Sequence, residues 1–337
     1  NTIDIANNVS IITNTAGGTR NVYLLPNTAA TAVSIGGASG FDLTQGELTN
    51  ISTNVNRIVV GEDATPTVTA GAITTASAGA VNIGARNLTL SGTSVTAGGN
   101  TLTSANNITL KASTGAVDGN AAAGVDYAAG SMNINAATGI GSTNQLSTNT
   151  GTLAAANTTS NNVSITNGQS LALGGGSTVT NSAAGGSLTV AVTGAGNDLT
   201  ISNTVSTAGG GAINLSAERH IIFAQGAGVT GVSTTGTATL TADSASAGTG
   251  AIQGQAAVAT DVSAGTLNLT SAAGIGRRAV EATNTPATTS TAPRISPRVG
   301  TSPKQSQAET IATGGASRMN GATRPAGLRA RSRLKMP

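Results

Sequence analysis

Residues 162–190 read NVSITNGQSLALGGGSTVTNSAAGGSLTV, and two triplets within them set a period. Val163-Ser164-Ile165 returns 25 residues later as Leu188-Thr189-Val190, then at the same interval as Ile213-Asn214-Leu215 and Ala238-Thr239-Leu240. Each triplet is apolar–polar–apolar, so on a strand its outer two side chains share one face and the middle one points away. A single strand of this kind cannot bury its apolar face. A stack of them can, and self-similarity at a fixed interval of this size marks a stacked repeat. The chain reads as a solenoid.

A second strand follows each leading triplet, at Leu171-Ala172-Leu173, Leu199-Thr200-Ile201 and Ile221-Ile222-Phe223. A third is expected at Val179, Val205 and Val229. Three short strands per coil, separated by Gly, Asn, Ser and Thr, describe one triangular turn of a parallel β-helix. Glycine clusters such as Gly174-Gly175-Gly176 and Gly209-Gly210-Gly211 fall where corners need left-handed backbone. Working toward the N-terminus, the same alternation recurs at Met132/Ile134, Ile108/Leu110, Leu88/Leu90, Val81/Ile83, Ile58/Val60, Val33/Ile35, Val22/Leu24 and Val9/Ile11, at uneven intervals. The expected architecture is all-β, with roughly 11 coils over residues 1–276 and a rod about 50 Å long at about 4.8 Å per coil.

A longer period lies over the short one. Gly130-Ser131-Met132-Asn133-Ile134 through Gly139-Ile140-Gly141 matches Gly265-Thr266-Leu267-Asn268-Leu269 through Gly274-Ile275-Gly276, 135 residues later. At the same offset Gly115-Ala116-Val117 matches Gly250-Ala251-Ile252, and Asp126 matches Asp261. One block of five or six coils has been copied once.

The composition suits a thin aliphatic core. Among 337 residues there are no Cys, no Trp, two Phe and two Tyr. Such a low aromatic content is poor for an ordinary globular interior, while β-branched aliphatics at one interval are what a β-helix needs. No apolar run is long enough for a membrane-spanning helix, so no transmembrane segment is expected. Charge divides the chain. Residues 1–276 carry 5 Lys/Arg against 11 Asp/Glu, whereas residues 277–337 carry 11 against 2, together with six of the eight prolines. That second segment lacks strand triplets and has too few apolar residues to offset its ordering entropy, so a disordered basic tail is expected at 277–337.

The tail begins inside the duplicated motif. Gly141 is followed by Ser142-Thr143-Asn144-Gln145-Leu146, but Gly276 by Arg277-Arg278-Ala279-Val280-Glu281. The favoured expectation is therefore an aberrant end, such as an out-of-frame continuation of a longer repeat. Its rival is a basic arm for nucleic acid or another anionic polymer. Because Asn1-Thr2-Ile3-Asp4-Ile5 is already repeat-like, the chain is read as a piece of something longer.

Strands such as Asn8-Val9-Ser10-Ile11, Asn87-Leu88-Thr89-Leu90, Asn107-Ile108-Thr109-Leu110 and Asn162-Val163-Ser164-Ile165 share a style. With the Ala/Thr/Gly-rich spacers, the Gly-Ile-Gly block ends, Phe41-Asp42-Leu43-Thr44-Gln45-Gly46-Glu47-Leu48 and Arg57-Ile58-Val59-Val60-Gly61, residues 1–276 resemble the repeat region of filamentous-haemagglutinin-like bacterial exoproteins. The resemblance implies a right-handed parallel β-helix, exported through an outer-membrane transporter and secreted or held on a Gram-negative cell surface. It also implies adhesion or biofilm formation, with cell-surface receptors or glycans as partners. The secretion domain that the family carries at its N-terminus is not recognised in this sequence.

Residue clusters with possible chemistry have plainer readings. Gly194-Ala195-Gly196-Asn197-Asp198 imitates one turn of a calcium-binding repeat, but such an ion needs six to eight oxygens from adjoining turns and the motif is not repeated 25 residues either side, so a corner is expected. Glu218-Arg219-His220 is expected in water at a corner, its side chains diverging as neighbours on an extended chain do. Thr44-Gln45-Gly46-Glu47 has capping-box spacing and predicts at most one helical turn. The asparagines of Asn50-Ile51-Ser52, Asn87-Leu88-Thr89 and Asn162-Val163-Ser164 match glycosylation sequons but are expected to cap turns and to form partial ladders between coils. Glycoside cleavage needs paired carboxylates, and the acids of the body are scattered. The chain is accordingly expected to be non-catalytic, with no cofactor, no metal site and no nucleic-acid partner. A polysaccharide-acting enzyme is the alternative.

Overall fold

The computed structural model describes residues 20–277, except 27, 38–40, 63–69, 123, 246 and 256–259. The strand pair expected at Val9/Ile11 and the tail expected at 277–337 lie outside the described residues, apart from the backbone of Arg277.

The molecule is a parallel β-helix. Almost all of its regular structure is strand, and every strand pairing within the stack is parallel. One face can be followed from end to end through eleven rungs, beginning with Asn21–Leu24, Arg57–Val60, Asn87–Gly92 and Leu102–Ala112. It continues through Tyr127–Ala136, Leu146–Asn157, Leu171–Leu173, Leu199–Ile201, Ile221–Phe223, Ile252–Gly254 and Ile275–Arg277. Along it Val22, Ile58, Leu88, Ile108, Met132, Leu153, Leu173, Ile201 and Phe223 stand one on another, none more than 5% exposed. Each such side chain contributes about 1.5–3 kcal/mol by leaving water.

The 25-residue period becomes register. Val163 pairs with Leu188, Leu188 with Ile213 and Ile213 with Ala238, while Ile165, Val190, Leu215 and Leu240 form a second dry column beside them. The intervening Ser164, Thr189 and Asn214 are partly exposed, which is the facing that the alternation predicts. Corners absorb differences in coil length. Gly141, at φ +60°, lies so close to the next coil that a Cβ there would sit 2.1 Å from the Ser164 carbonyl oxygen, so both its backbone and its lack of a side chain are needed.

One strand lies elsewhere than expected. The third strand of its coil is Val232–Ser233, stacked on Val205–Ser206, and Val229 belongs to a turn closed by its own N–H donating to the Gly226 carbonyl. The corner after Phe223 is simply longer than its predecessors, and the apolar residue that pairs is the one the longer corner delivers.

The faces are repartitioned at Leu146–Asn157. Ile140 pairs onward to Val163 and Leu146–Thr148 pair with Ile165–Asn167, so two faces of the N-terminal half fuse on one strand. Meanwhile Thr152–Leu153 pair with Ala172–Leu173, and Ala155–Asn157 with Val179–Asn181, so the other face divides. Three faces enter this coil and three leave it.

The N-terminal side of the rod is closed on two faces. Phe41–Leu43 pairs in parallel with the outer edge of Val33–Ile35, whose other edge pairs with Ile73–Thr75. The chain then enters a helix, Gln45–Asn50, with the capping box intact: the Glu47 N–H donates to Thr44 Oγ1 (3.2 Å) and the Thr44 N–H to Glu47 Oε2 (2.7 Å). At six residues it is longer than the single turn expected, because Leu48 and the following Ile51 are drawn into the core. Gln45 imitates a neighbouring strand, its side chain donating to the Asn82 carbonyl (3.0 Å) and accepting from the Asn82 N–H (2.6 Å). Arg86, 6% exposed, donates to the carbonyls of Leu48, Ile51 and Ile83, so its charge is held by backbone oxygens near the helix C-terminus. Burial lowers its pKa below the ordinary guanidinium value.

Candidate functional site

The lateral surface of the rod consists mainly of the outward members of each alternation, Thr, Ser and Asn in most coils. One recess in it is an open cleft of about 470 Å³ lined by Asn120, Ala121, Ala122, Gly124, Thr143, Asn144, Gln145, Ser147 and Thr166. The loop forming one wall is held by Asp126. This carboxylate, 1% exposed, accepts from the Ser147 N–H (2.8 Å), the Asn120 N–H (3.4 Å) and the Asn120 side-chain amide. Burial raises its pKa above the ordinary aspartate range, against the lowering effect of those hydrogen bonds. The rim itself presents neutral amides, hydroxyls and backbone.

Asp198 and the 218–220 segment converge across two coils. Arg219 grips the Asp198 carboxylate in a fork, Nε to Oδ1 at 2.7 Å and Nη2 to Oδ2 at 2.5 Å, and the His220 N–H donates to the same Oδ1 (3.1 Å). Glu218, Arg219 and His220 lie between strands and are partly exposed; the 43%-exposed Arg219 side chain reaches to the preceding coil, where its partner Asp198 is 16% exposed. Burial works against the Asp198 charge, but the bonds from Arg219 and His220 and their charges outweigh it, leaving the carboxyl below its ordinary pKa. His220 accepts at Nδ1 from the Ala251 N–H (3.0 Å), which places any neutral-state proton on Nε2. Asp198, Arg219 and His220 thus tie three successive coils together. In the same corner the Asn197 side chain donates to the carbonyls of Thr193 and Gly168, and the Asn197 N–H closes a turn on Gly194. Asn197 Oδ1, the atom of that side chain that would reach for a cation, accepts from Ser170 Oγ (3.4 Å), and both Asp198 oxygens are held by Arg219. Among the described residues no group of three or more His, Cys, Asp or Glu gathers at one place.

The sequon asparagines link coils. Asn87 donates to the Asn56 carbonyl below and accepts from the Asn107 N–H above, and Asn107 donates in turn to Ser131 Oγ. Asn162 accepts from the Ser187 N–H one coil on. Asn50 is the last residue of the helix. A stronger ladder lies inside: Asn157 and Asn181, at most 1% exposed and stacked in register, are joined by Nδ2–Oδ1 contact at 2.8 Å, and the column continues with Thr207 bonded to Thr234 Oγ1 at 2.9 Å. Their 24- and 26-residue spacings were the available signal, but each closes a strand instead of preceding one.

No family model, curated protein or solved structure matches the chain.

Proposed function

We propose that this protein is a non-catalytic, adhesive stalk segment of a bacterial surface or secreted exoprotein of the filamentous-haemagglutinin-like kind, exported by an outer-membrane transporter and contacting cell-surface receptors or glycans. The observation that carries this reading is the sparsely charged lateral surface: the cleft beside Asn120 and Gln145 offers amides and hydroxyls with no charged rim, and the Asp198 carboxylate is occupied by Arg219. A surface of this kind binds weakly at each point and gains strength by repetition along a rod. The alternative, a polysaccharide-acting enzyme, calls for carboxylates poised around a substrate bond. Beads coated with the chain should be retained by epithelial cells or immobilised glycans more than albumin-coated beads, with retention rising steeply with coating density. Indifference to density, or release of reducing or unsaturated ends from soluble polysaccharides, would overturn the reading.

A further inference from the structure

The cleft beside Asn120 draws on three successive coils, and the fold uses its backbone far more than its side chains. Its floor is Ser147 and Thr166, outward members of two strands paired in register, so their hydroxyl-bearing residues stand one rung, about 4.8 Å, apart. One wall is the loop at Asn120–Ala122, where the Ala122 N–H donates to Asn120 Oδ1 (2.7 Å) and Asp126 holds Asn120 from behind. The other wall is Thr143–Gln145. Here the Thr143 N–H donates to Asp118 Oδ1 (3.1 Å) and the Asn144 carbonyl accepts from the Gly119 N–H (3.0 Å). The Gln145 side-chain amide donates to Ser164 Oγ (3.2 Å). Both walls are therefore fixed. The side-chain polar groups of Thr143, Asn144, Ser147 and Thr166, by contrast, have no hydrogen-bond partner among the described residues.

Unengaged hydroxyls and amides on walls that the fold holds still suit a sugar. Its ring hydroxyls both donate and accept, and partners already in place lose little freedom on binding. At about 470 Å³ the cleft falls within the size range of small-molecule sites. Ala121 and Ala122, exposed on the loop wall, offer a small apolar surface to ring C–H groups. Charge decides which sugar fits. Asp118 and Asp126 stand behind the two walls and no Lys or Arg lines the cleft, so a sugar acid would meet like charge with no cation to pair it. Resting on the adhesive reading above, we infer that this cleft is a subsite for one residue of an uncharged glycan. The Ser147 and Thr166 hydroxyls and the Asn144 amide bond its ring hydroxyls, and uronic and other acidic sugars are turned away. No aromatic side chain lines the cleft, so affinity rests on hydrogen bonds without stacking.

The test uses the full chain with isotope-labelled Asn and Gln side chains, followed by NMR. It is titrated with the methyl glycosides of glucose, galactose, mannose and N-acetylglucosamine, and with methyl glucuronide and galacturonide. At least one neutral glycoside should shift the Asn144 and Gln145 amides saturably. The same glycoside should leave the amide of Asn214, an outward residue two coils beyond Ser164, unmoved. It should bind at least about tenfold more tightly than either uronide. Thr166→Val removes one floor hydroxyl at nearly constant shape, and should weaken binding about three- to tenfold without moving the circular-dichroism melt. No saturable shift from any neutral glycoside, equal shifts at Asn214, uronides bound as tightly as neutral sugars, or full affinity in Thr166→Val overturns the inference. The two readings fail separately. Beads retained by cells without any shift in the cleft leave adhesion standing and remove this subsite, whereas a saturable shift without retention removes adhesion and leaves the subsite.

Discussion

The two copies of the duplicated block share their strands and differ in what lies over them. Val117 stacks on Ile140 as Ile252 stacks on Ile275, with the same 23-residue step, and Asp126 holds the Asn120 N–H as Asp261 holds the Gln255 N–H. Yet Ile140 is sealed and Ile275 is 48% exposed. Local sequence is therefore enough to shape a coil, and the adjoining coil supplies the burial. Stability here is a nearest-neighbour quantity, as expected for an array in which each repeat touches only the next.

The largest test of that contrast is a charge at the paired isoleucines. Ile140→Asp should cost about 3–5 kcal/mol, since it buries an unpaired carboxylate, and should melt the flanking coils. Ile275→Asp should cost no more than about 0.5 kcal/mol. Denaturant titrations followed by circular dichroism give both values, and equal losses would break the comparison. Leu153→Ala, next in size, uncovers Met132 and makes the first copy resemble the second, at about 2–5 kcal/mol. An unchanged denaturation midpoint for that variant would mean that the cover over Met132 is not what stabilises the coil.

Acid titration sharpens the comparison further. The folded-state pKa of Asp126 is raised by burial, so its contribution is present at low pH and is lost as pH rises from the ordinary carboxylate value through the raised one. Asp198 works in the opposite sense: its pKa is lowered, and its stabilisation is lost as pH falls through that lowered value. Carboxyl-carbon NMR should therefore show Asp126 titrating above, and Asp198 below, the usual aspartate range. The smallest effect belongs to Ser164→Asp, an outward position beside the sealed Ile165, at about 0.5 kcal/mol or less. A loss as large as that from Ile165→Asp, measured on the same titration, would reverse the assigned facing.

What the sequence made legible is what alternates. The columns through Val163 and Ile165, the inward residues of the N-terminal half from Val22 onward, and the Thr44–Glu47 box all follow from local pattern and short-range capping. What it concealed depends on corner length. Val232 replaced Val229 because a longer corner shifted the strand, and Arg219 meets Asp198 across a 21-residue step that no fixed period suggests. The doubling back of Phe41–Leu43 beneath Val33 pairs segments only eight residues apart in a fold otherwise built on coil-length separations. Asn157 and Asn181 are missed because a polar residue at a strand end is read as facing water, yet as the last residues of Leu146–Asn157 and Val179–Asn181 they share the inward face with Ala155 and Val179. For the candidate site, the low density of charge on the lateral surface was visible in composition, whereas the cleft walled by Asn120 and held by Asp126 required the coils to be stacked.

The buried Asn157–Asn181 contact has a mechanical consequence. Parallel rungs bond along the rod axis, so a pull on the two termini peels strands one at a time instead of shearing many together. An amide clasp sealed from water resists that peeling more than an aliphatic contact of equal area, because opening it exposes two polar groups before solvent reaches them. Under tension the coils between Leu146 and Val192 would thus give way last, leaving a short intact segment between two extended arms.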